Sequence, residues 1–478
     1  MIVLWILLGI IAALLAVVLI RAAMFRPKDE PPAAPAPVEI DEQKAVGALA
    51  DMVRCKTVSS RDEALTDVRE FDKFRALLVS RFPNVNKTCA LEHIGPTGLL
   101  YRWQGRSDKQ PTVLMSHYDV VPADEKAWEK PAFEGVVEDG VLWGRGTLDN
   151  KCTLCGIMNA AEQLIAEGFV PENDIYFSFA GDEEIAGDSA PAIVAELEKR
   201  GIKPALVLDE GGAVVEGIFP GVTGRCALIG IGEKGMMDLE FHLKSAGGHA
   251  SAPPPHGPVG KLAQAVVDVE NHPFPVRLSK PVAEMFDTLG RRSSFLYRMI
   301  FANLWLFLPV LDGLCKKTGG ELNAMMRTTC AFTMMEGSKA SNVLPPEARV
   351  VANLRLAEGD TIESVKAYLR KVVNNDEIEL KEWYGMNPSI ASDTSTDGYK
   401  KLRAAVEQTW QGAVVSPYLM VQCSDSRHFC RITDKVMRFS AAELTKAERS
   451  YIHGNNERIP TAKIVDTVKF YIRLIKQC

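Results

Sequence analysis

Three apolar, β-rich runs, PTVLMSHYDVV, NDIYFSFAGDEE and ALVLDEGG, alternate with the helical patterns TLCGIMNAAEQLIAEG and PAIVAELEKRG. Strand, helix and strand in that rhythm predict parallel βαβ units, so from about Ile40 to Gly230 the chain is expected to form an α/β sheet. Ligands of such sheets bind beyond the carboxyl ends of the strands. Each run carries a polar cluster at that end: His117-Tyr-Asp119, Gly181-Asp-Glu183-Glu184 and Asp209-Glu210-Gly-Gly. Their positions agree with a single site.

From about Ile231 the texture changes. MDLEFHLKSA alternates with period two, and CAFTMMEGSKASNVLPPEARVVANLRL holds two further strand candidates around a proline-containing turn. This predicts a smaller α+β domain, residues 231–357, inserted into a mixed-sheet α/β domain made of 41–230 and 358–478. Within the insertion, the apolar and aromatic stretch from Ser293 to Leu314 reads as a buried helical pair, with a membrane-contacting or partner surface as the other option.

At the N-terminus, Ile2 to Ile20 is uninterrupted apolar apart from Gly9 and spans roughly 28 Å as a helix, close to the hydrocarbon thickness of a bilayer. No Lys or Arg precedes it, it is long for a signal peptide, and no clear A-x-A cleavage site follows, so residues 1–25 are expected to be a single-pass membrane anchor. Arg21, Arg26 and Lys28 favour a cytoplasmic body while Asp29 and Glu30 oppose it, which leaves the side of the membrane open. Residues 26–40, with PPAAPAP, read as a tether.

The remaining composition is that of a globular protein, 47% hydrophobic and 24% charged over 478 residues. A net charge of -6 without any Lys/Arg block argues against a nucleic-acid partner and points to small molecules. Ten cysteines in a chain of this size make no disulfide scaffold. The Cys152-x-x-Cys155 pair, following the Asp149 turn into a helix, is expected to be two reduced structural thiols.

Two more motifs complete the chemistry: Trp143-Gly-Arg-Gly-Thr-Leu-Asp149-Asn-Lys151, which opens a helix, and His453-Gly-Asn-Asn-Glu457 near the end of the chain. Two imidazoles and several carboxylates, without a thiolate, suit two divalent ions of the zinc, cobalt or manganese type.

These five motifs, in this order, resemble those of the M20 family of metallopeptidases and aminoacylases, nearest its carboxypeptidase S and N-acyl-amino-acid hydrolase branch, over about residues 45–475. The resemblance implies a hydrolase of amide or peptide bonds beside a free carboxylate, acting on N-acyl amino acids or short peptides. It implies two metal ions, zinc foremost, with His117, Asp149, Glu184, His453 and either Asp209 or Glu210 as ligands. Asp119 would orient His117, and Glu183 would be the general base. His249, in Gly247-Gly-His249-Ala-Ser251 on the lid domain, would stabilise the oxyanion, in several members from the partner subunit of a homodimer. Asn342 in SNVLPP would meet the substrate, and Arg427 in Ser424-Asp-Ser-Arg427-His428 would either meet the substrate carboxylate or form a structural ion pair. Alternatives are a dipeptidase or peptide-specific carboxypeptidase, and an inactive binding protein of the same fold.

Overall fold

In the computed structural model, which describes residues 1–27, 35 and 37–478, the expected alternation folds into an eight-stranded sheet. Ser107–His117, Asn173–Ala180, Leu206–Glu216 and Val436–Glu443 run parallel through its centre. Toward the edges the direction changes: Gly98–Trp103 lies antiparallel to Asn173–Ala180, and Arg225–Glu233 antiparallel to Val436–Glu443. Ala90–Ile94 and Val414–Met420 close the two edges, so the sheet is mixed around a parallel core.

The parallel strands are buried on both faces, which is why their sequences read as unbroken apolar runs. On one face Leu114 and Phe177 share a core with Leu49, Leu154, Leu402 and Phe470 of the helices Glu42–Val53, Lys151–Ala166, Asp397–Thr409 and Thr461–Ile475. On the other, Val113 and Tyr176 meet Ile193 and Leu197 of Ser189–Lys199. Successive residues of one strand thus face opposite layers.

A second sheet is antiparallel and four-stranded, in the order Thr329–Glu336, Glu347–Leu356, Gly235–Lys244, Glu379–Met386. Helices Pro258–Asn271 and Ile362–Val373 cover it, with Leu239, Phe241, Leu262, Val350, Val365 and Leu369 in a core of its own. Two expectations are corrected here. The boundary at 357/358 cuts through this unit, because Ile362–Val373 and Glu379–Met386 belong to it. A helix followed by a strand reads like one more unit of the large sheet, and only pairing with Gly235–Lys244 distinguishes it. Conversely, Lys280–Arg292, Phe295–Phe301, Leu304–Thr318 and Gly320–Met326 lie outside the smaller unit. They share a core with Leu228, Tyr418 and Met420 of the large sheet.

The N-terminal run is a helix, Ile2–Met24, exposed along its length except near its end, where Val18 and Ala22 are buried. There Asn303 Nδ2 donates to the Val18 carbonyl (3.2 Å), and Arg21 Nη2 and Nε donate to the Ala302 carbonyl (2.9 and 3.1 Å). Most of the proline-rich tether, residues 28–34 and 36, lies outside the described residues.

Lys151–Ala166 and Thr461–Ile475 meet at Gly156, where a Cβ would stand 2.6 Å from the Thr467 methyl and 3.0 Å from the Tyr471 ring. Gly156→Val is therefore expected to overpack this contact and cost about 1 to 3 kcal/mol. Urea denaturation of the two proteins, monitored by circular dichroism, measures it; equal midpoints would contradict the close approach.

Candidate active site

His117 ends the central strand Ser107–His117 and is 2% exposed. Its ring is aligned by Asp119, whose Oδ1 lies 3.3 Å from His117 Nδ1. The Asp119 carboxylate also accepts from Ser59 Oγ (2.7 Å) and from the backbone N–H groups of Glu183 (3.2 Å) and Glu184 (3.1 Å). One buried acid thereby sets both the imidazole and the turn that carries the next two acids.

His117 Nε2 is 2.9 Å from Asp149 Oδ1 and 3.4 Å from Glu210 Oε1. The other oxygen of Asp149, Oδ2, is 3.1 Å from His453 Nε2, which in turn is 3.0 Å from Glu184 Oε2. Asp149 accordingly stands between the two imidazoles. Ligand atoms of His117, Asp149 and Glu184, and again of His117, Glu183 and Glu210, lie within 4.8 Å of one another. Asp209 and Glu210 leave opposite sides of the strand Leu206–Glu216. Asp209 is buried and accepts from Ser426 N at 2.9 Å, while Glu210 faces the cavity.

Asp149 and His453, far apart in sequence, are brought together by a pair that sequence reasoning gave no role. Arg145 Nη1 donates to Glu457 Oε2 at 2.8 Å, both side chains being buried. Glu457 also accepts from the backbone N–H groups of Gly146 (2.9 Å), Leu148 (2.6 Å) and Asp149 (3.2 Å), and Arg145 Nη2 donates to the Gly454 carbonyl (2.9 Å). Lys151 of the same motif turns away, donating to the carbonyls of Met52 (3.1 Å) and Cys55 (2.7 Å).

The site concentrates negative charge where water is scarce. Burial pushes Glu183 well above the ordinary carboxylate range and Glu210 up to about 8, with neighbouring acids adding to the rise and His117 opposing it. Burial acts the same way on Asp149, but hydrogen bonds from His117 and His453 outweigh it and hold that carboxyl below its usual value. Bonds to Asp149 and Glu184 carry His453 up to about 10. Glu184 Oε1 is buried without a hydrogen-bond partner among the described residues. Packed oxygen and imidazole donors with an unsatisfied acceptor are a set that divalent cations would complete.

Asp149, Glu183, Glu184, Glu210 and His453 line a cavity of about 1140 Å³. Arg61, Arg355 and Arg427 line it too, as do Val215, Ile218, Leu228, Tyr418, Met420 and Ile452. Arg427 Nη2 donates to the Asn387 carbonyl at 2.8 Å, and its Nη1 lies 3.7 Å from Glu233. His249 and Asn342 do not line this cavity. They sit exposed on the small unit, where Gly248–His249 pairs with Val343–Leu344 and His249 Nδ1 lies 2.7 Å from Ser251 Oγ. Cys152 and Cys155 are free and buried, and burial raises both thiols.

Residues 113–477 match Peptidase family M20/M25/M40. The chain belongs to this family. It is 35% identical over 446 residues to the N-fatty-acyl-amino acid synthase/hydrolase PM20D1 of Xenopus tropicalis, covering 92% of this chain and 86% of that protein. It is 34% identical over 438 residues to the probable carboxypeptidase S-like 2 of Dictyostelium discoideum, covering 90% and 84%. An M20 family metallo-carboxypeptidase from Sulfolobus solfataricus has the same fold, with a TM-score of 0.66 at 17% identity over 91% of this chain and 99% of that one. As an M20 member the chain is a metal-dependent hydrolase of amide or peptide bonds.

Removing Arg145 would leave Glu457 buried and unpaired, so Arg145→Met is expected to cost about 3 to 5 kcal/mol. It is also expected to lower the metal content, since Asp149 and His453 lose their common support. Denaturant titration together with elemental analysis measures both; a variant as stable and metal-rich as the parent would remove the pair from this role.

Proposed function

We propose that the chain is an amidohydrolase of N-acyl amino acids, cleaving the amide bond next to a free α-carboxylate with the help of two divalent ions, zinc in the first instance. The observation that carries this reading is the composition of the cavity: acids and imidazoles, arginines, and an extended apolar wall surround one space. A volume of about 1140 Å³ exceeds what a dipeptide alone would fill.

In this reading His117 and Glu210 hold one ion, Glu184 and His453 the other, and Asp149 serves both, while Asp209 supports Ser426. Bound ions supply Lewis acidity and a lowered pKa for water. Glu183 takes a proton from the attacking water and returns it to the leaving nitrogen, a task suited to a carboxyl whose affinity for protons is raised by burial. Asp119 keeps the His117 ring and the Glu183–Glu184 turn in register while this happens. Arg355 and Arg427 meet the substrate carboxylate with charge-assisted hydrogen bonds, and the acyl chain lies along Val215, Ile218 and Tyr418. We assign His249 to the oxyanion and Asn342 to the substrate, both delivered by the smaller unit of a second copy, since in their own chain they lie outside the cavity. The Ile2–Met24 helix, which contains an 18-residue window of mean hydropathy 3.2, is proposed as a single-pass membrane anchor.

Glu183→Gln keeps the shape of the side chain but not the proton acceptor, so kcat is expected to fall by about 10² or more with bound divalent metal retained, whereas Asp149→Ala is expected to lose metal as well. Steady-state kinetics with elemental analysis tests the pair; full activity of Glu183→Gln would place the base elsewhere.

Matched substrates test specificity. An amidated carboxylate would leave the arginines desolvated and unpaired, at about 1 to 3 kcal/mol, so acids are expected to exceed their amides at least about tenfold in kcat/KM. Equal rates would point to a general amidase, and turnover of dipeptides without acyl amino acids to a peptide-specific carboxypeptidase.

A further inference from the structure

The helix Leu304–Thr318 is apolar on both of its faces. Leu304, Leu308, Leu311 and Cys315 recur at helical spacing and pack into the core beside the large sheet. The opposite face carries Trp305, Pro309, Val310, Gly313 and Leu314, all exposed, with Trp305, Val310 and Leu314 at 58, 69 and 57%. A helix of a water-soluble surface would carry polar residues there. Phe295 and Leu296 of the preceding helix are exposed as well, at 44 and 63%.

What covers this face is indicated by its neighbour. The apolar Ile2–Met24 helix ends on the residues that immediately precede Leu304: Ala302 accepts from Arg21, and Asn303 donates to Val18. Phe25 lies under the Arg291 guanidinium, 4.3 Å from its ring centroid, and Arg291 Nη1 donates to the Arg26 carbonyl at 3.2 Å. The level at which the anchor reaches its first arginine is thus the level at which the exposed apolar helix starts. That helix carries Trp305 in its first turn and Lys316 and Lys317 in its last, the residue types that settle at a lipid headgroup boundary.

We propose that Leu304–Thr318 lies in the surface of the bilayer that holds the Ile2–Met24 helix, a second, monotopic membrane contact; this rests on the anchor reading above. The body is then seated on the membrane. Gly320, Glu321 and Ala324, in the helix that follows, line the cavity that holds the candidate ligands, so the cavity wall continues directly from the seated helix. An amphiphilic substrate would reach it from the lipid surface.

The test uses the full chain in phosphatidylcholine and phosphatidylglycerol vesicles, with the photoreactive amino acid benzoylphenylalanine placed in turn at Val310, at Ile10 and, as a water-facing control, at Lys126. Illumination is expected to add the mass of one phospholipid at Val310 and at Ile10 but not at Lys126. Lipid adducts at Ile10 with none at Val310 would overturn the seated helix and leave the anchor standing. Adducts at neither would overturn both. Cross-linking of Val310 to a second chain instead of lipid would overturn the proposal and give this face to a dimer contact.

Discussion

Glu457 carries a carboxylate with no access to solvent, in a place where desolvation alone would make it give up its charge. Arg145 at 2.8 Å and three backbone N–H groups of the loop from Gly146 to Asp149 compensate for that loss. Burial raises its pKa and Arg145 opposes the rise. Because so many groups converge on one acid, the two loops that bring Asp149 and His453 face to face have no independent freedom. The spacing between the imidazoles is inherited from this pair.

The candidate ligands form a second layer with the reverse balance. Glu183, Glu210 and Asp149 repel one another in a buried site, and the imidazoles of His117 and His453 relieve them. Such a centre lowers the stability of the fold and is maintained by the rigid layer behind it. Asp119 and Glu457 are that layer: each accepts backbone N–H groups from a loop that carries a candidate ligand, which ties that loop to its neighbours.

The parallel core of the large sheet was legible because its strands are buried on both faces and each ends in a polar cluster. That the polar clusters come together was legible because they share one end of that sheet. Which of Asp209 and Glu210 faces the cavity was not, since adjacent acids differ only in which side of the strand they leave from. Glu457 lay inside a recognised motif, but a sequence does not reveal that an acid is buried against an arginine more than three hundred residues away. Ser59 had no motif at all, only a hydroxyl that the fold lays beside Asp119. The 357/358 boundary failed because Ile362–Val373 and Glu379–Met386 have the local pattern of either sheet, and strand pairing is a long-range property. In the Ser293–Leu314 stretch the buried reading holds for one face of the helix Leu304–Thr318, while the other face is exposed.

The clasp between the N-terminal helix and the Ala302–Asn303 corner alters how the molecule is held. A body hung from a proline-rich cord could turn in any direction about its attachment. Here two hydrogen bonds from Arg21, one from Asn303 and the Phe25–Arg291 stack grip the foot of the helix from the side. Orientation is transmitted through this non-covalent joint, which holds helix and body together in addition to the covalent link between residues 27 and 37. A chain nicked within that link would keep its helix in place, so severing the cord and releasing the body are two separate events.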